Sequence, residues 1–198
     1  MILSRPELRE AIRRGEIRFV PPVEEKQIQS ASIDLRLGYK FYKLQKSRGI
    51  AAVSMREGFN ALAGRGLWTE KTLPHENELG KRESYVIEPS EFILVQTLEH
   101  IHMPNHLIAM VEGRSSYARA GLSMHQTAPW IQPGWNGQIM LEIRNSGPWD
   151  VDLMPKNDKL CQLTFMRLTT PLAESDAYGA AEGAQFQGQT NILPKGGD

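Results

Sequence analysis

Near the start of the chain, apolar residues recur at helical spacing. In SRPELREAIRRGEI, Leu8 and Ile12 fall on one face, Ser4 and Glu7 stand in the order of a capping box, and Gly15 supplies a stop. The spacing predicts a short surface helix. From Ser30 the period changes to two. In SASIDLRLGYKFYKL, Ile33, Leu35 and Leu37 face one way and Asp34 and Arg36 the other, which predicts a strand. Between about residues 46 and 82 no period is sustained, so the segment reads as an irregular insertion with no assignable chemistry. Beyond it come SYVIEPSEFILVQTLEHIHMP, LIAMVEG, GLSMHQTAPWI, GQIMLEIRNSG and WDVDLMPKNDKLCQLTFMRL, short β-like runs parted by Pro, Gly and Asn turns. Evenly spaced short strands predict a closed or two-sheet β architecture rather than βαβ units. From about residue 176 to 198 the chain is rich in Gly, Ala and Gln and has too few large apolar groups for a core. It is expected to stay flexible, or to order on a ligand or a neighbouring subunit.

Length changes this picture little: 198 residues suit one domain with insertions. Charge narrows the partners. Lys plus Arg and Asp plus Glu both total 23, so no broad field exists to attract a nucleic-acid polymer or an anionic membrane, and any polyanionic ligand must be held locally. Cys161 is the sole cysteine, which excludes an intramolecular disulfide framework and a multi-cysteine zinc site and fits a reducing cytoplasm. No apolar run approaches the roughly 20 residues of a membrane span, and MILSRPELRE carries charges where a signal peptide would be apolar.

Chemistry concentrates between Glu112 and Ile143. GRSSYAR joins a glycine turn to two hydroxyls and two guanidinium groups, and such a turn can aim N–H groups, hydroxyls and an Arg fork at phosphate oxygens through Arg114, Ser115 and Ser116. It can equally be a helix N-cap whose arginines face water. Arg119 lies close enough to Arg114 for repulsion unless an anion or a carboxylate sits between them. In GQIMLEI, Ile139, Leu141 and Ile143 share one face while Met140 and Glu142 share the other. Glu142 is therefore either a solvated strand residue or a general base on a rigid strand, with an Arg or Ser from the same short region holding its water. His125 lacks partners at metal-ligand spacing and reads as a hydrogen-bonded structural histidine, with a catalytic base as the alternative. Trp130 and Trp135 in PWIQPGW are suited to stacking on a base or to plugging a core.

Taken together, SASIDLRLGYKF, GRSSYARAGL, HQTAPWIQPGWNGQIMLE and the terminal FQGQ resemble the dCTP deaminases of the trimeric dUTPase superfamily, in the right order from the first helix to the tail. The resemblance implies a mainly β, distorted β-barrel fold as one domain over residues 1–198, and a homotrimer with active sites between subunits. It also implies deamination without a catalytic metal, with Mg²⁺ riding on the triphosphate. Zinc deaminases use H-x-E and P-C-x-x-C, and this sequence contains neither. By the same resemblance Glu142 matches the carboxylate that deprotonates the water attacking C4 of cytosine, and Ser115 and Arg119 match the groups holding that water and the base. The backbone at Thr127 and Ala128 matches the segment reading the pyrimidine edge. Arg114 and Ser116, with Tyr178 and Gln189 of the tail, match triphosphate contacts.

Three positions depart from the family's pattern. Gln132 stands where Asp usually contacts the 3′-hydroxyl, and an amide there can hydrogen-bond but cannot act as a base. Gln185 stands where the tail usually has Lys, which removes one positive charge from the triphosphate. Trp130 stands where strict deaminases often have Arg and bifunctional members an aromatic. The expected function is deamination of dCTP to dUTP and ammonia. The alternatives are a dUTPase or bifunctional enzyme, toward which Trp130 leans, and a non-catalytic nucleotide-binding regulator, toward which Gln132 and Gln185 lean.

Overall fold

The Ser4 N–H and hydroxyl both donate to Glu7 Oε2, at 2.9 and 2.8 Å, and the helix α1 runs from there over Arg5–Arg13. This is the element foreseen from the capping box. Pro6 sits in the first turn, where a missing N–H costs nothing, and Leu8 and Ala11 are buried against the core. The structure, a computed structural model, describes residues 1–45, 54, 67–75, 83–180, 184 and 186–191.

After α1 the fold is built of strands. In chain order they are β1 (Arg18–Val20), β2 (Ile33–Leu44), β3 (Trp68–Thr72), β4 (Tyr85–Ile87), β5 (Phe92–His102) and β6 (Leu107–Gly113). A five-residue helix, α2 (Ser115–Arg119), follows. Then come β7 (Leu122–Ser123), β8 (Trp130–Ile131), β9 (Asn136–Asn145), β10 (Val151–Leu153) and β11 (Lys159–Arg167). The main sheet has the order β7-β9-β5-β2-β11-β6-β8, with β1 added on β5 and β3 on β2, while β10 pairs with β4 separately. Every pairing between these strands is antiparallel among the described residues. Among the described residues the result is a curled half-barrel, a mainly β fold as expected.

The bend lies in β2. Its first residues, Ile33 to Arg36, pair with β11, and the stretch from Leu37 to Lys43 pairs with β5. The register slips between Leu37 and Phe41, where a Cβ on Gly38 would lie 2.7 Å from the Gln96 carbonyl oxygen. Only glycine permits that approach. A second slip, between Gln96 and His100 of β5, faces β9. There the Thr97 hydroxyl accepts the Ile139 N–H at 3.0 Å and the Thr97 carbonyl accepts the Gln138 side-chain amide at 2.9 Å, replacing the ladder bonds the bulge interrupts. Beyond this bulge β9 runs in regular register past Leu141 and Glu142.

Alternation places Ile139, Leu141 and Ile143 in the core, each worth about 1.5–3 kcal/mol of burial. β2 does not follow that rule. Its second face is buried as well, with Asp34 at 1 % exposure and Arg36 at 6 %. Arg36 donates through Nε to Glu99 Oε1 at 2.7 Å and through its backbone N–H to Glu99 Oε2 at 2.9 Å, and the Gln27 amide adds a third bond at 2.9 Å.

One correction concerns the segment from about 46 to 82. Most of it lies outside the described residues, but Trp68–Thr72 is a regular strand on β2, with Leu44 opposite Trp68 and Lys40 opposite Thr72. Its side chains are largely exposed, so no apolar alternation marks it in the sequence.

Candidate active site

Glu142 and Met140 project from the half-exposed face of β9 into a cavity of about 450 Å³. The sheet contributes Leu44, Trp68, Phe92 and Leu94 to its lining, and Leu94 sits directly opposite Glu142 in the ladder. The segment from His125 to Trp135 contributes His125, Ala128, Trp130, Gln132 and Trp135, and the tail contributes Tyr178, Phe186 and Gln189. Among the described residues lining it there is one carboxylate, Glu142, and no Lys or Arg.

The loop after β7 is fastened to the strand bearing that carboxylate. The Gln126 N–H donates to Glu142 Oε2 at 3.3 Å, and its side-chain amide donates to the Glu142 carbonyl at 3.2 Å. This holds Ala128 at the cavity, while Thr127 beside it is exposed and is not part of the lining. His125 Nε2 lies 3.5 Å from Glu112 Oε2, and its buried Nδ1 has no hydrogen-bond partner among the described residues.

The two tryptophans divide the roles left open by the sequence. Trp135, 6 % exposed, plugs the core and donates its indole N–H to the Phe186 carbonyl at 3.0 Å. Trp130 is 49 % exposed at the cavity, and Gln132 is exposed beside it.

The GRSSYAR segment forms α2, with Arg114 as its N-cap residue. Arg114 Nη1 donates to the Lys159 carbonyl at 3.2 Å, and its Nε lies 3.7 Å from the buried Asp34 carboxylate. Asp34 thus gives Arg114 a counter-charge of its own. Ser115, Ser116 and Arg119 are exposed. None of the four lines the cavity, and none bonds to Glu142 among the described residues. Within one chain, therefore, the expected meeting of an Arg and a Ser with Glu142 does not occur. Their nearness in sequence is undone because α2 projects its polar side chains to the outside while Glu142 faces the cavity. Sequence reasoning missed Tyr117, whose hydroxyl donates to Asp158 Oδ1 at 2.9 Å, and Gln126; nothing local marks either pair.

The described tail residues have partners in their own chain. The Tyr178 N–H donates to the Pro133 carbonyl at 2.9 Å. Gly188 N–H donates to the Asn136 carbonyl at 2.8 Å, and Gln138 N–H donates to the Gln189 carbonyl at 2.9 Å. The Gln187 side chain accepts from the Asn136 N–H and donates to the Gly134 carbonyl, both at 3.1 Å. Gln189 thereby bridges to Gly137, where a Cβ would meet the Trp135 ring at 2.7 Å and the Gln189 nitrogen at 3.0 Å. Tyr178 and Gln189 thus reach the cavity, whereas Gln185 lies outside the described residues.

A family model described as dCTP deaminase-like matches residues 2–168. The chain is 37 % identical over 193 residues to a dCTP deaminase of Natronomonas pharaonis, covering 96 % of this chain and 91 % of that protein. It is 37 % identical over 172 residues to a dCTP deaminase, dUMP-forming, of Methanobrevibacter smithii, covering 86 % and 82 %. Among solved structures, 2′-deoxycytidine 5′-triphosphate deaminase from Agrobacterium tumefaciens shares the fold with a TM-score of 0.61 at 23 % identity. That match covers 88 % of this chain, which spans 50 % of the other.

Proposed function

Because the chain belongs to the dCTP deaminase-like family, we propose that it hydrolyses the 4-amino group of dCTP, yielding dUTP and ammonia. The observation that carries the proposal is Glu142, a strand-borne carboxylate in an aromatic-lined cavity with one oxygen held by the Gln126 N–H. Glu142 takes a proton from water as the oxygen bonds to C4. It passes that proton to N3, then takes the remaining proton from the new C4 hydroxyl and gives it to the amino nitrogen, so that the C4–N bond breaks and the C4 carbonyl forms as ammonia leaves.

Among the described residues the lining offers no Lys or Arg to a polyanion, which supports a homotrimer whose neighbouring subunit completes each site. In this arrangement Ser115 and Arg119 of the neighbour orient the water and the base, and Arg114 and Ser116 of the neighbour bind the phosphates. The backbone at Thr127 and Ala128 reads the pyrimidine edge. Trp130 and Gln132 flank the deoxyribose, and Tyr178, Gln185 and Gln189 close over the triphosphate. Mg²⁺ arrives with the triphosphate as part of the substrate, and no zinc takes part. The substrate is a free nucleotide. No helix among the described residues is long and apolar enough to cross a membrane.

A second reading, conversion through to dUMP with release of pyrophosphate, is favoured by Trp130 at the cavity. Incubation with dCTP or dUTP plus Mg²⁺, with every product resolved by chromatography, tests both. Ammonia and dUTP from dCTP support the deaminase, while pyrophosphate and dUMP support the second reading. Binding of both nucleotides without turnover would leave a nucleotide-binding regulator. In a parallel arm, loss of activity to a zinc chelator, restored by zinc and not by Mg²⁺, would overturn the zinc-free mechanism.

A further inference from the structure

Helical periodicity gives α2 two functionally different sides. Ser115 and Arg119 are four residues apart and share a face, whereas Tyr117, two residues from each, lies about 160° around the axis. The structure follows this division: Ser115 and Arg119 are exposed, and Tyr117 packs half-buried against the core. Its hydroxyl donates at 2.9 Å to Asp158 Oδ1, and Asp158 Oδ2 accepts the Met154 N–H at 2.6 Å, so the acceptor is itself fixed in the turn before β11. Burial, then the bond to Asp158 and its charge, raise the Tyr117 pKa, which keeps the phenol a donor throughout the physiological range.

Both ends of this short helix are tied elsewhere. Arg114 is held at one end by the Lys159 carbonyl, with Asp34 beside it. At the other end the Ser146 N–H donates to the Gly121 carbonyl at 2.8 Å. Between these ties the Tyr117–Asp158 bond holds the side of the helix, and how α2 is turned about its axis decides where Ser115 and Arg119 point.

We propose that Tyr117 and Asp158 are positioning residues: their hydrogen bond sets the rotation of α2 and so aims Ser115 and Arg119 at the deamination centre. The inference rests on the proposed roles of Ser115 and Arg119. Arg114 is anchored independently, so losing the Tyr117 hydroxyl disturbs the water and the base more than the phosphates. Turnover suffers more than nucleotide binding.

The test compares Tyr117→Phe, Asp158→Asn, the double variant and Ser115→Ala in the full-length protein, by steady-state kinetics with dCTP and Mg²⁺ and by thermal melting. Tyr117→Phe is expected to lower kcat about 10-fold with KM within about 2-fold of wild type. Its melting temperature should stay within about 4 °C. The double variant should be no slower than Tyr117→Phe alone, because both changes remove one interaction. Unchanged kcat in Tyr117→Phe beside lost turnover in Ser115→Ala would overturn the positioning role while leaving the assignment of Ser115 intact. So would additive losses in the double variant. Full turnover in Ser115→Ala would instead overturn the role of Ser115, and this inference with it.

Discussion

The backbone N–H of Gln126 holds Oε2 of Glu142 at 3.3 Å, and among the described residues Oε1 has no hydrogen-bond partner. The carboxylate is thus oriented through one oxygen with the other left to accept a proton. In Glu142→Gln the amide oxygen is expected to keep the Gln126 bond and turn the NH₂ toward the water, presenting donors where an acceptor is needed. Deamination should fall by at least about 10³-fold while dCTP binding changes little. Single-turnover product formation beside equilibrium binding measures both, and substantial turnover would remove Glu142 from the mechanism.

The proposed trimer, with each site shared between subunits, makes two dead variants complementary. Glu142→Gln and Arg119→Ala each lack one half of every site, but a trimer mixed from both contains some sites with a native carboxylate and a native guanidinium. After dissociation and reassembly at equal amounts, about a quarter of wild-type activity should return. No recovery, with hybrid trimers demonstrated by mass spectrometry, would place the two groups in the same chain's site or outside it.

Glu99 is completely buried and accepts bonds from Arg36 and Gln27. Glu99→Ala strands the 6 %-exposed Arg36, with Glu24 alone as a charged partner. The cost should be about 3–5 kcal/mol in urea unfolding, a large share of the roughly 5–15 kcal/mol available to a domain. Replacing both partners, as Glu99→Leu with Arg36→Met, should recover much of it. A Glu99→Ala midpoint equal to wild type would show that the pair carries no such weight.

His102 stacks on His100 at 4.7 Å between centroids and lies opposite Arg18 of β1 and Asn136 of β9. Burial first, then the charges of His100 and Arg18, hold its pKa below the ordinary histidine value. As pH falls, the unfolded chain therefore takes up the proton before the folded one. The stability contributed by neutral His102 is present above about pH 6.5 and lost as pH drops from there through the folded-state value. His102→Gln should flatten the decline in melting temperature across that window, and an unchanged slope would exclude His102 as its source.

How far the sequence foretells the molecule depends on whether a signal is local. α1 was legible because Ser4 and Glu7 are three residues apart and make the bond their spacing implies. The two faces of β9 were legible because alternation sorts Leu141 from Glu142 within one strand. The second face of β2 was not, since Asp34 looks solvated until Arg114 and Lys159 are brought near it, and Arg36 until Glu99, 63 residues away, is brought against it. Tyr117 and Asp158 are 41 residues apart, and Trp68–Thr72 buries too little to leave a pattern. Ser115, Arg119 and Glu142 look like one constellation in sequence because they are close along the chain, yet the fold turns them to different surfaces.

The bonds that fasten Gly188 and Gln189 to β9, and Gln187 to Gly134 and Asn136, join amides to carbonyls, and Trp135 adds an indole. None of these groups is ionised, so salt does not screen them and no proton within the physiological range breaks them. The triphosphate of the proposed substrate, by contrast, is held through charge in the proposed site. Ionic conditions therefore govern how readily such a nucleotide arrives but not how firmly the strap lies on its strand, and the two steps can be tuned apart by changing only Gln187, Gly188 and Gln189.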